Sequence, residues 1–263
     1  MKSLIAAIFI AVSLVLPVAS QSNGPAAKGS APASADPEAI AKAAFQAHGG
    51  EKLKSMKSLV VRGSVDVTSS AFNQAIAGGF STVISGKKYI LDIQTPFQSL
   101  KQVFDGENTV SSIPGITLPP VTSLGFPMLP RLGDTGYVVS ALPEGKKKQR
   151  GFRLAAPDGF YTDFYIDEKT NLIKGYESAY EIRGRNFTTA IEIDKNRVVE
   201  GITIPERYAQ RFDLGGMTAY SSFKAKEILV NSAIDDAVFA AGSDPVRSSS
   251  FSWPRLATSR FVT

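Results

Sequence analysis

The strongest constraint in this chain is a change of hydrophobic period. Before Leu59 apolar side chains recur every three to four positions. From Leu59 onward they recur every second position, the pattern of half-buried antiparallel strands. Leu59, Val61, Gly63, Val65 and Val67 fall on one face, with Arg62, Ser64 and Asp66 on the other. The alternation returns in Val83, Tyr89, Leu91 and Ile93 against Lys88 and Asp92, and in Phe160, Phe164 and Ile166 against Asp163 and Asp167. Tyr176, Tyr180 and Ile182 against Glu177 and Glu181, then Phe187, Ile191 and Ile193, continue it. Turn residues separate the runs at Ser85-Gly86-Lys87, Asp105-Gly106, Pro157-Asp158-Gly159, Asp167 to Asn171, Asp194-Lys195-Asn196 and Leu214-Gly215-Gly216. The spacing predicts a mainly β (α+β) domain, a meander of about eight to eleven strands.

The stretch from Ile113 to Asp134 breaks this pattern. Pro114, Pro119, Pro120, Pro127 and Pro130 interrupt Ile116, Leu118, Leu124, Phe126, Met128 and Leu129. Proline excludes a regular helix or a central strand there, yet so many apolar side chains must pack somewhere. Two roles fit, a lid or plug over an apolar face and an ordinary core-covering loop.

At the N-terminal side of the sheet, Asp36-Pro37-Glu38 reads as a helix start, with Asp36 capping and Pro37 at the first helical position. Ile40, Ala43, Ala44 and Ala47 mark its buried stripe, and Gly49-Gly50 stops it before a short turn from Glu51 to Met56. Residues 21–35 carry almost no large apolar side chain and read as a flexible leader. The first twenty residues read as a signal peptide. Lys2 precedes a 13-residue apolar run, Leu4 to Leu16, Pro17 ends it, and Val18-Ala19-Ser20 supplies the small residues of a cleavage site. The run is short of the ~18 residues that a spanning helix needs. Cleavage near Ser20 and export to the periplasm or beyond, as a soluble protein, are the expectation. The Ser/Arg-rich tail 242–263, which holds Trp253, should lie outside the core and is a candidate partner-binding segment.

The chemistry-bearing residues are few. With no Cys, neither disulfides, thiol catalysis, Cys-ligated metals nor an N-terminal cysteine lipid anchor is open to the chain. The one His, His48, sits at the end of the first helix, with no Gly-x-Ser-x-Gly elbow to pair with it. Phosphate loops, dinucleotide fingerprints and calcium loops are missing from the sequence, which therefore calls for no cofactor, no metal and no nucleic acid. Asp235-Asp236 reads as a turn or cap. A net charge of +5 names no partner, and the run Lys146-Lys147-Lys148-Gln149-Arg150 is either a solvated hairpin end or a footing on an anionic membrane surface.

Four segments, in this order, resemble the LolA/LolB-like family of periplasmic lipoprotein-sorting and lipid-carrier proteins. They are Ala47-His48-Gly49-Gly50-Glu51-Lys52-Leu53 leading into the first strand, Val103 to Asn108 around Asp105-Gly106, Tyr165 to Ile173, and Gly201 to Glu206 followed by the strand that ends Val230-Asn231-Ser232. The likeness runs from about residue 37 to 240. It implies a strongly curved, open antiparallel sheet, a half barrel within residues 36–241, whose concave side is covered by an N-terminal helix and by the irregular lid 113–134 and accepts acyl chains. The family carries helices over the mouth where this chain has prolines.

Face counting assigns Val65, Val67, Tyr89, Leu91, Phe160, Phe164, Tyr180, Ile182 and Ile191 to the interior, with Phe126 and Met128 on the covering segment. The same pattern serves a plain core or a cavity for hydrocarbon. The resemblance favours a monomeric carrier or chaperone for lipid or lipoprotein acyl chains, without catalysis. The alternatives are an envelope regulatory or scaffold module that binds a protein partner and, last, an exported hydrolase acting through His48.

Overall fold

The computed structural model describes residues 36–69, 72–97, 99–112, 121–146, 148–182, 185–213 and 218–240. The expected signal peptide, leader and tail, the Ile113–Pro120 stretch and the Leu214-Gly215-Gly216 turn lie outside the described residues. No helix among the described residues is long and apolar enough to cross a membrane.

Helix α1 (Pro37–Ala47) and the single turn α2 (Glu51–Lys54) precede twelve strands among the described residues. These are β1 (Ser58–Ser69), β2 (Phe72–Ser85), β3 (Lys88–Gln94), β4 (Ser99–Phe104), β5 (Thr109–Ser111), β6 (Val138–Ser140), β7 (Gly151–Ala155), β8 (Tyr161–Ile166), β9 (Ile173–Ile182), β10 (Arg185–Val199), β11 (Ile202–Asp213) and β12 (Thr218–Val230). All lie in one sheet of order β5-β4-β3-β2-β1-β12-β11-β10-β9-β8-β7-β6. The number exceeds the expectation because β5 and β6 have three residues each, too few for alternation to register.

The chain therefore lays down one half of the sheet outward from β1, jumps to the far edge at β6, and returns until β12 pairs with β1. Edges β5 and β6 do not pair, so the sheet is an open half barrel rather than a closed one. At the central seam the register slips between Arg62 and Gly63, and a Cβ on Gly63 would lie 2.0 Å from the Lys224 carbonyl oxygen. Only glycine admits that approach, and the bulge it permits helps the sheet to curve.

Two sequence expectations shift. Val83 pairs with Val60 and Ile90 on the outer face, because the Ser85–Lys87 turn brings Ile84, not Val83, opposite Tyr89. Asp194-Lys195-Asn196 is not a turn: β10 runs through it with a register slip, and the reversal comes at Glu200-Gly201, where both φ angles are positive. Ion pairs from Arg207 to Asp194 and from Lys195 and Arg197 to Glu206 hold the strand continuous with β11. The basic run is only partly solvated, since Lys146 reaches the buried Asp163 at 3.2 Å and Glu177 at 2.6 Å, and Arg153 takes Asp163 in two hydrogen bonds of 2.6 and 3.0 Å. Asp235 caps a short turn through the Ala237 amide, as a cap reading expects.

Helix α1 starts at the Asp36 cap and packs on β6 and β7 at one end of the inner face. Its buried stripe is Ile40, Ala41, Ala44 and Phe45, rotated from the expected one so that the large Phe45 ring, rather than Ala43 and Ala47, is turned inward. His48 ends the helix and is fully buried. Its Nδ1 donates to the Thr203 carbonyl at 2.6 Å and its Nε2 accepts from the Ile173 amide at 3.0 Å, while the Thr203 amide donates to the His48 carbonyl at 3.1 Å. One imidazole thus ties the helix to the starts of β9 and β11, and its edge meets the Phe126 ring at 5.3 Å between centroids. Both nitrogens are committed to backbone, which leaves neither for acid–base work.

Burial holds the His48 pKa below its ordinary 6.5, against the smaller upward pull of the Thr203 carbonyl. The folded protein keeps the ring neutral where the unfolded chain protonates it. Stability is then full above 6.5 and falls as pH drops below it, with a slope of up to about 1.4 kcal/mol per pH unit. Asp105, Asp167 and Glu206, held below their ordinary 3.8 and 4.5 by hydrogen bonds, contribute their own loss only at lower pH. Urea melts between pH 7 and 5 should show the slope in the wild type and its disappearance in His48→Gln, which would also be less stable throughout.

Candidate functional site: an apolar cleft under the sheet

Because β5 and β6 are opposite edges but consecutive strands, the chain between them must cross the open side of the half barrel. The crossing segment is the proline-rich stretch. Its described part, residues 121–134, forms two 3-10 turns, Val121–Ser123 and Phe126–Arg131, instead of an α-helix, as its prolines require. Met128 and Leu129 are fully buried in the core below it and Phe126 nearly so.

Three groups of the inner face hold the segment in place. The Gly125 amide donates to Thr162 Oγ1 at 2.9 Å, and Thr162 Oγ1 in turn donates to Met128 Sδ at 3.3 Å. The backbone of Val121 meets the Tyr89 hydroxyl and that of Phe126 the Tyr176 hydroxyl; burial pushes both phenols up in pKa and these hydrogen bonds pull them back. Gly125 sits at φ +67° against the Tyr176 ring, where a Cβ would fall 2.4 Å from a ring carbon.

Between this segment and the sheet lies a cleft of about 190 Å³. Its walls come from both halves of the sheet. Leu59, Val61, Ile84, Leu91 and Ile93 form one side, and Tyr176, Tyr180, Ile191, Ile204, Tyr208, Phe212 and Phe223 the other, with Leu124, Phe126 and Pro127 as the roof. No charged side chain is among the described lining residues. A second, more polar recess of about 510 Å³ meets the cleft at Leu59, Ile84, Phe126 and Pro127 and carries Lys54, Lys57, Lys87 and Arg131. It is the larger hollow, but its polar walls offer a hydrocarbon little.

Of the side chains assigned to the interior from sequence, Leu91, Tyr180 and Ile191, with Phe126 on the roof, line the cleft. Val65, Phe164 and Met128 are packed into the core, and Val67 lies half-buried against it. Tyr89 is fully buried, its hydroxyl accepting a hydrogen bond from Gln102 Nε2. Phe160 is half-buried just before β8, and the side chain of Ile182 lies outside the described residues. The sequence reading passed over Tyr208, Gln210 and Phe212, although their alternation with Ala209, Arg211 and Asp213 is legible. It had no signal for Thr82, Ser178 and Thr189, because a polar residue on an inner face looks like a break in a hydrophobic pattern.

No protein-family model matches the sequence, and no curated protein matches it. Among solved structures the chain is similar to a LolA superfamily protein from Nitrosomonas europaea, with 12% identity, 78% of this chain and 97% of that one covered, and a TM-score of 0.48. It is also similar to a DUF1329 family protein from Desulfovibrio piger, with 10% identity, coverage of 78% and 97%, and a TM-score of 0.45. A domain named for outer-membrane lipoprotein sorting, from Vibrio parahaemolyticus, gives 9% identity, coverage of 76% and 97%, and a TM-score of 0.41. Fold and cleft together define an open antiparallel half barrel whose mouth is crossed by its own covering segment.

Gly125 and Gly133 provide a matched test of how tightly that segment is seated. Both have positive φ, +67° and +80°, but a Cβ at Gly133 would meet nothing within 4 Å. Gly133→Ala should cost about 1 kcal/mol from backbone strain alone, and Gly125→Ala clearly more, since the Tyr176 ring must also move. Chemical denaturation of the two variants checks the order.

Proposed function

We propose that this chain is an exported, periplasmic carrier or chaperone that holds the acyl chains of a lipid or lipoprotein in the cleft, without catalysis. The observation that carries the reading is the uncharged, largely hydrocarbon-lined space between the inner face and a covering segment tethered there by a few hydrogen bonds. The resemblance of the four sequence segments points the same way. In this reading residues 1–20 direct export, 21–35 form a flexible leader, and the tail 242–263 stands outside the domain 36–241.

Magnitudes decide how a guest fits. The cleft, about 190 Å³, is below the ~300–1,000 Å³ usual for small-molecule sites, so it takes the end of a chain as it stands. A longer chain must displace part of the roof. Ten methylenes leaving water contribute about 8 kcal/mol, against about 1.5–3 kcal/mol for withdrawing a side chain such as Phe126 from the core. Before the cost of ordering the guest, the exchange favours the lipid, and the proline-rich segment serves as the lid.

Native mass spectrometry of gently purified protein should show bound species of lipid mass. Leu91 is half-buried and lines the cleft, so Leu91→Trp should fill the space, lower lipid occupancy about tenfold or more, and shift the melting temperature by only a few degrees. Protein that arrives empty and takes up no phospholipid or lipopeptide from mixed micelles would end the carrier reading.

A further inference from the structure

One stripe of the inner face is polar, although nothing in the apolar pattern calls for it. On five neighbouring strands Ser221, Gln210, Thr189, Ser178 and Thr162 follow one another across the floor of the half barrel. Ser221 pairs with Gln210, Thr189 with Ser178, and Ser178 with Thr162. Gln210 Nε2 donates to Thr189 Oγ1 at 2.9 Å, and the Ser178 and Thr162 hydroxyls share a hydrogen bond of 2.8 Å. Ser178 and Thr162 are fully buried and Thr189 and Ser221 nearly so. Ser178, Thr189 and Gln210 line the cleft, and Tyr180, two residues beyond Ser178 on the same face, lines it with them.

The ladder is only half used. Among the described residues the Tyr180 hydroxyl has no hydrogen-bond partner, and burial alone pushes its pKa up to about 12, so it is a permanent O–H donor. The Thr189 hydroxyl accepts from Gln210 and keeps its own proton to give, and the Gln210 carbonyl oxygen is likewise uncommitted. A polar group with spare hydrogen-bonding capacity on the wall of an apolar cleft favours a guest that can meet it. Here they face a space whose other walls are largely hydrocarbon.

We propose that the Tyr180–Thr189–Gln210 group is a subsite for the uncharged carbonyl that joins an acyl chain to its carrier molecule, an ester or an amide. The inference rests on the carrier reading above and specifies its ligand. A carbonyl oxygen is a pure acceptor and matches the two free O–H donors; an amide linkage also offers an N–H to the Gln210 oxygen. An ionised phosphate or carboxylate does not match, because no charged side chain is among the described residues that line the cleft. The charged end of such a ligand stays outside the cleft.

The test compares three probes of equal chain length: a diacylglycerol, its dialkyl ether analogue, which lacks both carbonyls, and an N-acyl amide. Displacement of a fluorescent fatty-chain probe from the full mature protein gives the affinities. The ester and the amide should bind about tenfold tighter than the ether, and Tyr180→Phe and Gln210→Leu should remove that preference, so that ester, amide and ether bind each variant alike, with the far-UV spectrum unchanged. An amide that binds tighter than the ester, with the difference lost in Gln210→Leu, identifies the amide as the source. Equal binding of ester, amide and ether by the wild type overturns the subsite and leaves the carrier reading standing. Failure of all three to bind overturns both.

Discussion

The antiparallel pairing of β1 with β12 governs the rest of the molecule. It joins the first and last strands at the middle of the sheet, which sends the two strands that are consecutive at mid-chain, β5 and β6, to opposite edges. The chain between them has no route along the sheet and must run across its open side. Cover and cleft both follow from that topology. The seam depends on one close approach, Gly63 against the Lys224 carbonyl, and on the bulge beside it.

A segment forced to cross an apolar concavity has to satisfy its backbone polar groups without a strand to pair with. This chain uses tight 3-10 turns and borrows partners from the sheet: Thr162 for the Gly125 amide, Tyr89 and Tyr176 for the backbone of Val121 and Phe126. Met128 and Leu129 then anchor one side while Leu124, Phe126 and Pro127 roof the cleft. These inner-face tethers are neutral and contribute about 1 kcal/mol each, a scale that an acyl chain can outweigh, while Lys54 holds the far end of the segment through the Leu132 carbonyl and the Asp134 carboxylate. His48 pins α1 to β9 and β11, with its ring edge against Phe126 of the cover. The only imidazole in the chain is thus a structural clamp, and its low basicity follows from the same burial.

Much of the fold was legible because period two is a local signal. Leu59, Val61 and Val65 announce β1, and Tyr89, Leu91 and Ile93 announce β3, with no knowledge of what they pair with. The reading slipped where a local signal competes with a tertiary one. Asp194-Lys195-Asn196 has turn composition, yet ion pairs across β10 and β11 keep it extended. Val83 has the right chemistry for the interior and the wrong parity, which only the hairpin register reveals. The cleft was legible in part, since Leu91, Phe126, Tyr180 and Ile191 were assigned inward and do line it. Phe164 and Met128 share their chemistry and parity but are packed solid.

The amino-acid sequence by itself determined the strand pattern, the helix that precedes it, the proline break that forbids regular structure at mid-chain, and the lack of thiol chemistry, because each is a property of neighbours along the chain. Only the tertiary structure decided which inward residues meet a partner and which face open space, and that the polar residues Ser178, Thr189 and Gln210 fall side by side. Such relations join positions on different strands, and the sheet register that brings them together is a sum over the whole fold rather than a feature of any one segment.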